Sequence, residues 1–122
     1  MIGYVCLGTN DIARASKFYD ALLAVIGATR QMELDRGVAW GMNQQSALLA
    51  LLKPFDGKPA TVGNGVMVSL VMDSREKVDA VYKAAIALGA PDEGAAGERS
   101  PGFYAGYFRD PDGNKLCVFC MG

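Results

Sequence analysis

The chain repeats one order of hydrophobic and polar positions. Residues 2–28 align without a gap on residues 65–91, so that Val5 falls on Val68 and Tyr19 on Tyr82. Each copy begins with a short apolar run, passes through a small polar residue into a segment with hydrophobic positions every three or four residues, and ends at a glycine. The pattern predicts a strand followed by an amphipathic helix, twice.

Both predicted helices have start and stop signals. Asn10 or Asp11 in the first copy, and Asp73 or Ser74 in the second, can accept hydrogen bonds from the first free helical amides. A glycine follows each helix where a left-handed residue commonly ends one, and these glycines are Gly27 and Gly89.

The predicted strands complete two equal modules. The first strands are residues 2–7 and 66–71, and three further strands follow each helix. In the first module these are residues 29–34, 38–42 and 47–53. In the second module they are a weak, glycine-rich stretch at 92–97, then 103–109 and 115–121. Residues 35–37 and the sequence DPDGN at 110–114 are turn signals. The class is α+β: two tandem βαβββ modules with a helix on one face of each sheet.

We therefore interpret residues 1–122 as a single domain of two modules. Module one covers about residues 1–54, a polar linker rich in Gly and Pro covers 55–65, and module two covers about 66–122.

The composition excludes some classes of binding partner and favours others. Hydrophobic residues make up 51% of the chain, yet no apolar run is long enough to cross a bilayer, so no membrane partner is expected. The net charge is −1 without a basic cluster, which argues against nucleic acid. Three cysteines at no framework spacing favour a reduced, cytoplasmic protein. The high apolar content favours a homodimer.

The motifs point to a family. The first strand and helix, IGYVCLGTNDIARASKFYDALLAVIG, the linker KPFDGKPATVGNG and the closing FRDPDGNKLCVF resemble the vicinal oxygen chelate superfamily. That group includes glyoxalase I, bleomycin-resistance proteins and extradiol dioxygenases, and the resemblance covers essentially the whole chain. It implies a curved-sheet pocket or barrel. In catalytic members it also implies a divalent metal held by histidines and carboxylates, one pair from each half, which acts as a Lewis acid.

This sequence departs from that metal-binding pattern. Tyr4, Met67 and Cys117 occupy positions where the family often has histidine or glutamate, and the fourth position, near Ala50 or Leu52, holds no ionisable group. The chain contains no histidine at all. We therefore expect no metal ligand, no cofactor and no catalytic residue of the family's kind, and no metal-dependent glyoxalase or dioxygenase activity.

Strand alternation gives the expected lining of the pocket. If Tyr4, Met67 and Cys117 face it, Cys6, Ser69 and Phe119 share their faces, and large side chains of the middle strands and the loop before them border it. The predicted ligand-binding residues are Tyr4, Cys6, Trp40, Met67, Ser69, Phe103, Tyr104, Tyr107, Cys117 and Phe119.

Three functions remain open from the sequence. The first is a metal-independent member that binds an apolar or aromatic small molecule. The second is a metal-independent lyase or isomerase that uses Tyr4, Ser69 or Cys117 for proton transfer or positioning. The third is a structural or regulatory protein whose barrel is filled with side chains.

Overall fold

The structure, a computed structural model, describes residues 1–122 and contains two compact units, residues 1–63 and 64–122. The boundary falls within the polar stretch interpreted as a linker. The elements, in chain order, are β1 (Tyr4–Gly8), α1 (Ile12–Ala24), β2 (Thr29–Leu34), β3 (Gly37–Gly41), β4 (Leu48–Leu52), β5 (Val68–Val71), α2 (Arg75–Ala87), β6 (Asp92–Ser100), β7 (Phe103–Arg109) and β8 (Lys115–Met121).

Each unit is one four-stranded mixed sheet with one helix. The strand orders are β1-β4-β3-β2 and β5-β8-β7-β6. The first strand of each unit runs parallel to its last strand, and the other pairs are antiparallel. Each sheet is open, because its outer strands pair on one side only. The predicted α+β class with two tandem βαβββ modules is therefore confirmed.

The helices begin and end where the repeat predicts. α2 starts and stops at the residues that align with the ends of α1. Of the two candidates at each start, Asp11 and Ser74 are the N-caps, accepting hydrogen bonds from the Arg14 and Lys77 amides at 3.0 Å and 3.2 Å. Gly27 and Gly89 follow the helices with φ values of 80° and 91°, a conformation that costs glycine little.

Both helices are thirteen residues long, and neither is long and apolar enough to cross a membrane. Their hydrophobic stripes pack on one face of each sheet. In the first unit the buried ring of Tyr19 lies 5.5 Å from that of Trp40 on β3. In the second unit Val78, Val81 and Phe108 are fully buried with Leu116 and Val118.

Five of the eight strands differ from the predicted ranges, and the differences in β6, β5 and β3 are the ones that bear on the arrangement of side chains. β6 has nine residues and three register irregularities against β7, so it extends further than the weak stretch at 92–97. β5 begins at Val68, which leaves Met67 just before the strand. Gly37 belongs to β3 rather than to the turn, and its lack of a Cβ lets β3 approach the Leu51 carbonyl oxygen on β4.

The DPDGN segment forms a turn held by its own polar groups. The buried Asp110 carboxylate accepts hydrogen bonds from the Asp112 and Asn114 amides, each at 2.9 Å, and from the Asn114 side chain at 2.9 Å. Gly113 supplies the positive φ of 91°. The turn fixes where β7 ends and β8 begins, and therefore the register of the residues that follow it.

Candidate functional site

Each sheet has one face that its own helix does not cover, and we call this the helix-free face. In the first sheet the register places Tyr4 beside Leu48 and Cys6 beside Ala50 on this face. Tyr4 is 69% exposed, and Cys6 is also exposed. The intervening Val5 points to the helix side, as strand alternation predicts.

Trp40 lies on the other face of that sheet. It pairs with Leu49, whose neighbour across β1 is Val5, and its indole packs on Tyr19 of α1. Its Nε1 donates a hydrogen bond of 2.8 Å to Asp20. This corrects the expectation that Trp40 borders the same cleft as Tyr4. The bulky side chains of β3 pack under α1, and the small residues Gly37, Ala39 and Gly41 lie on the helix-free face.

The second sheet carries a polar row across its helix-free face. Ser69 on β5, Cys117 on β8 and Tyr107 on β7 are registered neighbours, and Gly94 on β6 continues the row. The hydroxyls of Ser69 and Tyr107 act on the Cys117 thiol in the direction that lowers its pKa. Three of the predicted ligand-binding residues are thus brought together within one unit.

An aromatic pair lies two residues further along the same face. Phe119 follows Cys117 on β8, and its ring lies 5.8 Å from that of Phe103. Both rings are partly exposed, and the neighbouring Val71 on β5 is 70% exposed. The helix-free face of the second sheet therefore runs from a polar row to an apolar, aromatic end.

Tyr104 does not share this face. Its hydroxyl donates a hydrogen bond of 2.6 Å to Asp79 on α2, and Cys120, its partner across the strands, is buried on the helix side. This corrects the expectation that Tyr104 and Tyr107 line the same cleft. The two residues are three positions apart, and an odd separation in a regular strand places side chains on opposite faces.

Two cations outside the predicted pocket lining also belong to this face. The Arg99 guanidinium lies over the Tyr107 ring at 5.4 Å from its centroid, and the Lys115 ammonium lies over the same ring at 5.6 Å. Arg99 comes from β6 and Lys115 from β8, the strands on either side of β7. For Lys115 a signal was present in the sequence, because it is two residues from Cys117 and so shares its face.

A third cation on this face is already neutralised. Arg109 forms an ion pair with Glu93 at 2.9 Å and donates a hydrogen bond of 3.0 Å to the Gly113 carbonyl oxygen. Its charge is compensated within the sheet, in contrast to those of Arg99 and Lys115.

Burial sets the protonation of the polar row. Burial raises the pKa of the Cys117 thiol, although hydrogen bonds from Ser69 and Tyr107 act in the opposite direction. Burial likewise raises the pKa of Tyr107. Both groups are therefore protonated at neutral pH. The row presents the hydroxyls of Ser69 and Tyr107, while the Cys117 thiol between them in the register is buried.

The residues at the family's metal positions do not fit a catalytic divalent ion. Tyr4 and Cys117 offer a phenol and a protonated thiol, Met67 a thioether, and Ala50 and Leu52 no donor. Hard divalent ions prefer carboxylate or imidazole donors. The structure contains no group of three or more His, Cys, Asp or Glu side chains that could hold a metal ion.

The chain is similar in sequence and in fold to proteins of known structure. Residues 4–119 match the model of the glyoxalase-like domain. The crystal structure of a glyoxalase/bleomycin resistance protein from Albidiferax ferrireducens T118 is similar at 34% sequence identity with a TM-score of 0.90, covering 100% of this chain and 99% of that one.

Two more distant structures share the fold. A lactoylglutathione lyase from Agrobacterium tumefaciens is 26% identical with a TM-score of 0.71, covering 98% of this chain and 92% of that one. A glyoxalase/bleomycin resistance protein/dioxygenase family enzyme from Burkholderia phytofirmans PsJN is 21% identical with a TM-score of 0.78, covering 98% of each chain. No curated protein matches this chain in sequence.

Proposed function

This chain belongs to the glyoxalase-like domain family, and we propose that it binds an apolar or aromatic small molecule without the help of a metal ion. The family match and the relative from Albidiferax ferrireducens confirm the resemblance to the vicinal oxygen chelate superfamily. The fold hosts several chemistries, so the proposal rests on the side chains of this chain.

The observation that carries the proposal is the helix-free face of the second sheet. Partly exposed rings of Phe103 and Phe119 lie beside a short row of neutral polar groups formed by Ser69, Cys117 and Tyr107. Apolar surface with a few convergent polar groups is the usual make-up of a small-molecule site. The apolar part supplies binding free energy, and the hydroxyls orient the ligand.

Binding is favoured over covalent catalysis by the state of the thiol. A nucleophilic cysteine needs a lowered pKa or an adjacent base, whereas burial raises the pKa of Cys117 and the chain has no histidine. The phenol of Tyr107 is protonated for the same reason. These residues support positioning of a ligand rather than attack on it.

A thermal-shift screen with aromatic metabolites and antibiotics tests the proposal. A compound that binds only the folded state raises the melting temperature by an amount that grows with the logarithm of its concentration relative to its dissociation constant. We expect hits whose shift is reduced by at least half in Phe119→Leu and unchanged in Phe55→Leu, since Phe55 is 91% exposed in a loop of the other unit. A screen without hits, or hits indifferent to Phe119, contradicts the proposal.

We also propose that the protein is a homodimer and acts in the cytoplasm. Large apolar side chains are exposed on the strands of the first sheet, including Tyr4, Met32 and Leu34. Exposed apolar area of this kind is typical of an interface between subunits. Light scattering that gives the mass of one chain, 12.9 kDa, at micromolar concentration would contradict the dimer.

A further inference from the structure

Arg99 and Lys115 are positive charges without an acidic partner. Neither forms an ion pair within the chain, whereas Arg109 on the same face is paired with Glu93. The charge of Arg99 contributes to lowering the pKa of Asp92, but that carboxylate accepts its hydrogen bonds from the Tyr82 hydroxyl at 2.7 Å and the Gly94 amide at 2.8 Å and forms no ion pair with Arg99. The helix-free face of the second sheet therefore keeps two uncompensated cations beside its polar row.

The guanidinium of Arg99 lies in space that two glycines leave open. Its Nη2 donates a hydrogen bond to the Ala95 carbonyl oxygen, and the group lies over the irregular part of β6. A Cβ at Gly94 would come within 3.3 Å of Nη2 and 3.1 Å of the Tyr107 ring, and a Cβ at Gly97 within 3.1 Å of Nη1. The absence of side chains at both positions makes the room in which Arg99 folds back onto Tyr107.

The two cations and the aromatic pair lie in different rows of the same face, a short and fixed distance apart along the strands. Tyr107 and Cys117 form one row, and Ala105 and Phe119 form the next row on the same face. Rows two residues apart in a strand are about 7 Å apart. A single aromatic ring with a one-carbon arm to an acidic group has this length.

We propose that this face selects small aromatic carboxylates. The carboxylate binds the Arg99 guanidinium and the Lys115 ammonium beside Tyr107, and the ring packs against Phe119 and Phe103. The inference rests on the proposed small-molecule binding and adds the charge of the ligand. It needs only residues of the second unit.

The chemistry of the cations selects an anion over a neutral or a cationic ligand. Hydrogen bonds between an ionised donor and a carboxylate are stronger than those between neutral groups, and the guanidinium presents its donors in one plane. A cationic ligand would be repelled by both side chains. The cation–π contacts with Tyr107 hold the two charges in position but do not neutralise them.

The test compares phenylacetate with phenylacetamide, which has the same shape and no charge. Titration of the 15N-labelled protein in low-salt buffer gives a dissociation constant and the amides that shift. We expect phenylacetate to bind about tenfold more tightly than phenylacetamide, with shifts at Tyr107, Cys117 and Phe119, and to weaken as salt is added.

Two charge-removing variants and one matched control locate the effect. Arg99→Gln and Lys115→Gln should each weaken phenylacetate at least fivefold and leave phenylacetamide unchanged. Lys83→Gln removes the same charge from an exposed position on α2 and should change neither. Circular dichroism of each variant checks that it is folded. Arg99→Gln and Lys115→Gln test the two cations separately.

The outcomes separate this inference from the function on which it rests. Equal affinities for the acid and the amide, no binding of phenylacetate, or indifference to both Arg99→Gln and Lys115→Gln would overturn the selection of carboxylates. Hits in the thermal-shift screen that are neutral compounds would then leave the proposed function standing. A screen with no hits of any charge would contradict the function itself.

Discussion

At the scale of single residues, Asp20 joins a buried ring to a surface charge. One carboxylate oxygen accepts hydrogen bonds from the Trp40 indole at 2.8 Å and from Nε of Arg30 at 2.9 Å, and the other accepts from Nη2 of Arg30 at 2.7 Å. The Arg30 hydrogen bond, and less strongly that of Trp40, lowers the pKa of Asp20. The same side chain therefore satisfies a buried donor and ties α1 to β2.

We predict that Asp20→Asn destabilises the protein by roughly 1 kcal/mol at pH 7, a modest loss because the ion pair is partly exposed to solvent. The folded pKa lies below the unfolded value of 3.8, so the contribution is fully present above that value and is lost as pH falls through the folded pKa. Urea unfolding at pH 7, 5 and 3 should show the gap between wild type and variant closing at low pH.

Asp35→Asn is the matched control, because Asp35 is an exposed turn residue. It should stay within about 0.5 kcal/mol of wild type at each pH. A gap for Asp20→Asn that is constant or widens with falling pH would show that its carboxylate is not stabilised in the folded state.

At the scale of elements, each helix is tied to its sheet by polar contacts as well as by its apolar stripe. In the second unit the Tyr82 hydroxyl on α2 donates to Asp92 on β6, and the Tyr104 hydroxyl on β7 donates to Asp79 on α2. These bonds fix the tyrosines on the helix side of the sheet. They leave Tyr107 as the tyrosine of β7 that is available to the helix-free face.

Strand pairing in the first unit depends on a glycine that cannot be enlarged. A Cβ at Gly37 would clash with the Leu51 carbonyl oxygen, which is backbone and cannot swing away. We predict that Gly37→Ala lowers the free energy of unfolding by about 2–3 kcal/mol, through displacement of β3 from β4. Chemical denaturation measures the loss.

Gly3→Ala makes the same substitution where no atom lies within 4 Å of the new Cβ. It should be neutral or slightly stabilising, because alanine reduces the entropy of the unfolded chain. Similar losses for the two variants would mean that the approach of β3 to β4 is not the cause.

The elements were predictable from the sequence to different degrees. The bounds of both helices follow from a repeated pattern with caps and glycine stops, and β2, β7 and β8 have the predicted ranges. The faces of the middle strands were harder, because an apolar side chain such as Trp40 suits the helix side and a ligand cleft equally well. The position of Arg99 depends on the irregular pairing of β6 with β7, and the pattern of hydrophobic and polar residues does not predict such irregularities.

At the scale of the whole molecule, the family's fold is kept while the donors of its metal site are not. Residues 4–119 match the glyoxalase-like domain, yet phenol, thioether and thiol groups stand at the positions where the resemblance implies imidazole and carboxylate. Metal independence stays a prediction, which the binding of added ions can test.

We predict that Ni²⁺, Zn²⁺ or Mn²⁺, added to chelator-treated protein, shifts the melting temperature by less than about 1 °C. An ion without a site in the folded state cannot stabilise it. Differential scanning fluorimetry with and without a chelator measures the shift. A clear, saturable rise with any of these ions would contradict metal independence.

Of the three cysteines, only Cys6 is exposed, while Cys117 and Cys120 are buried. A maleimide dye should therefore attach at Cys6 alone, beside Tyr4 on the first sheet, and it should react more slowly in the proposed dimer, whose interface covers the same face. The wild-type chain can thus be labelled at Cys6 without an engineered cysteine. The fluorescence of the attached dye can report whether a ligand or a second subunit covers that surface.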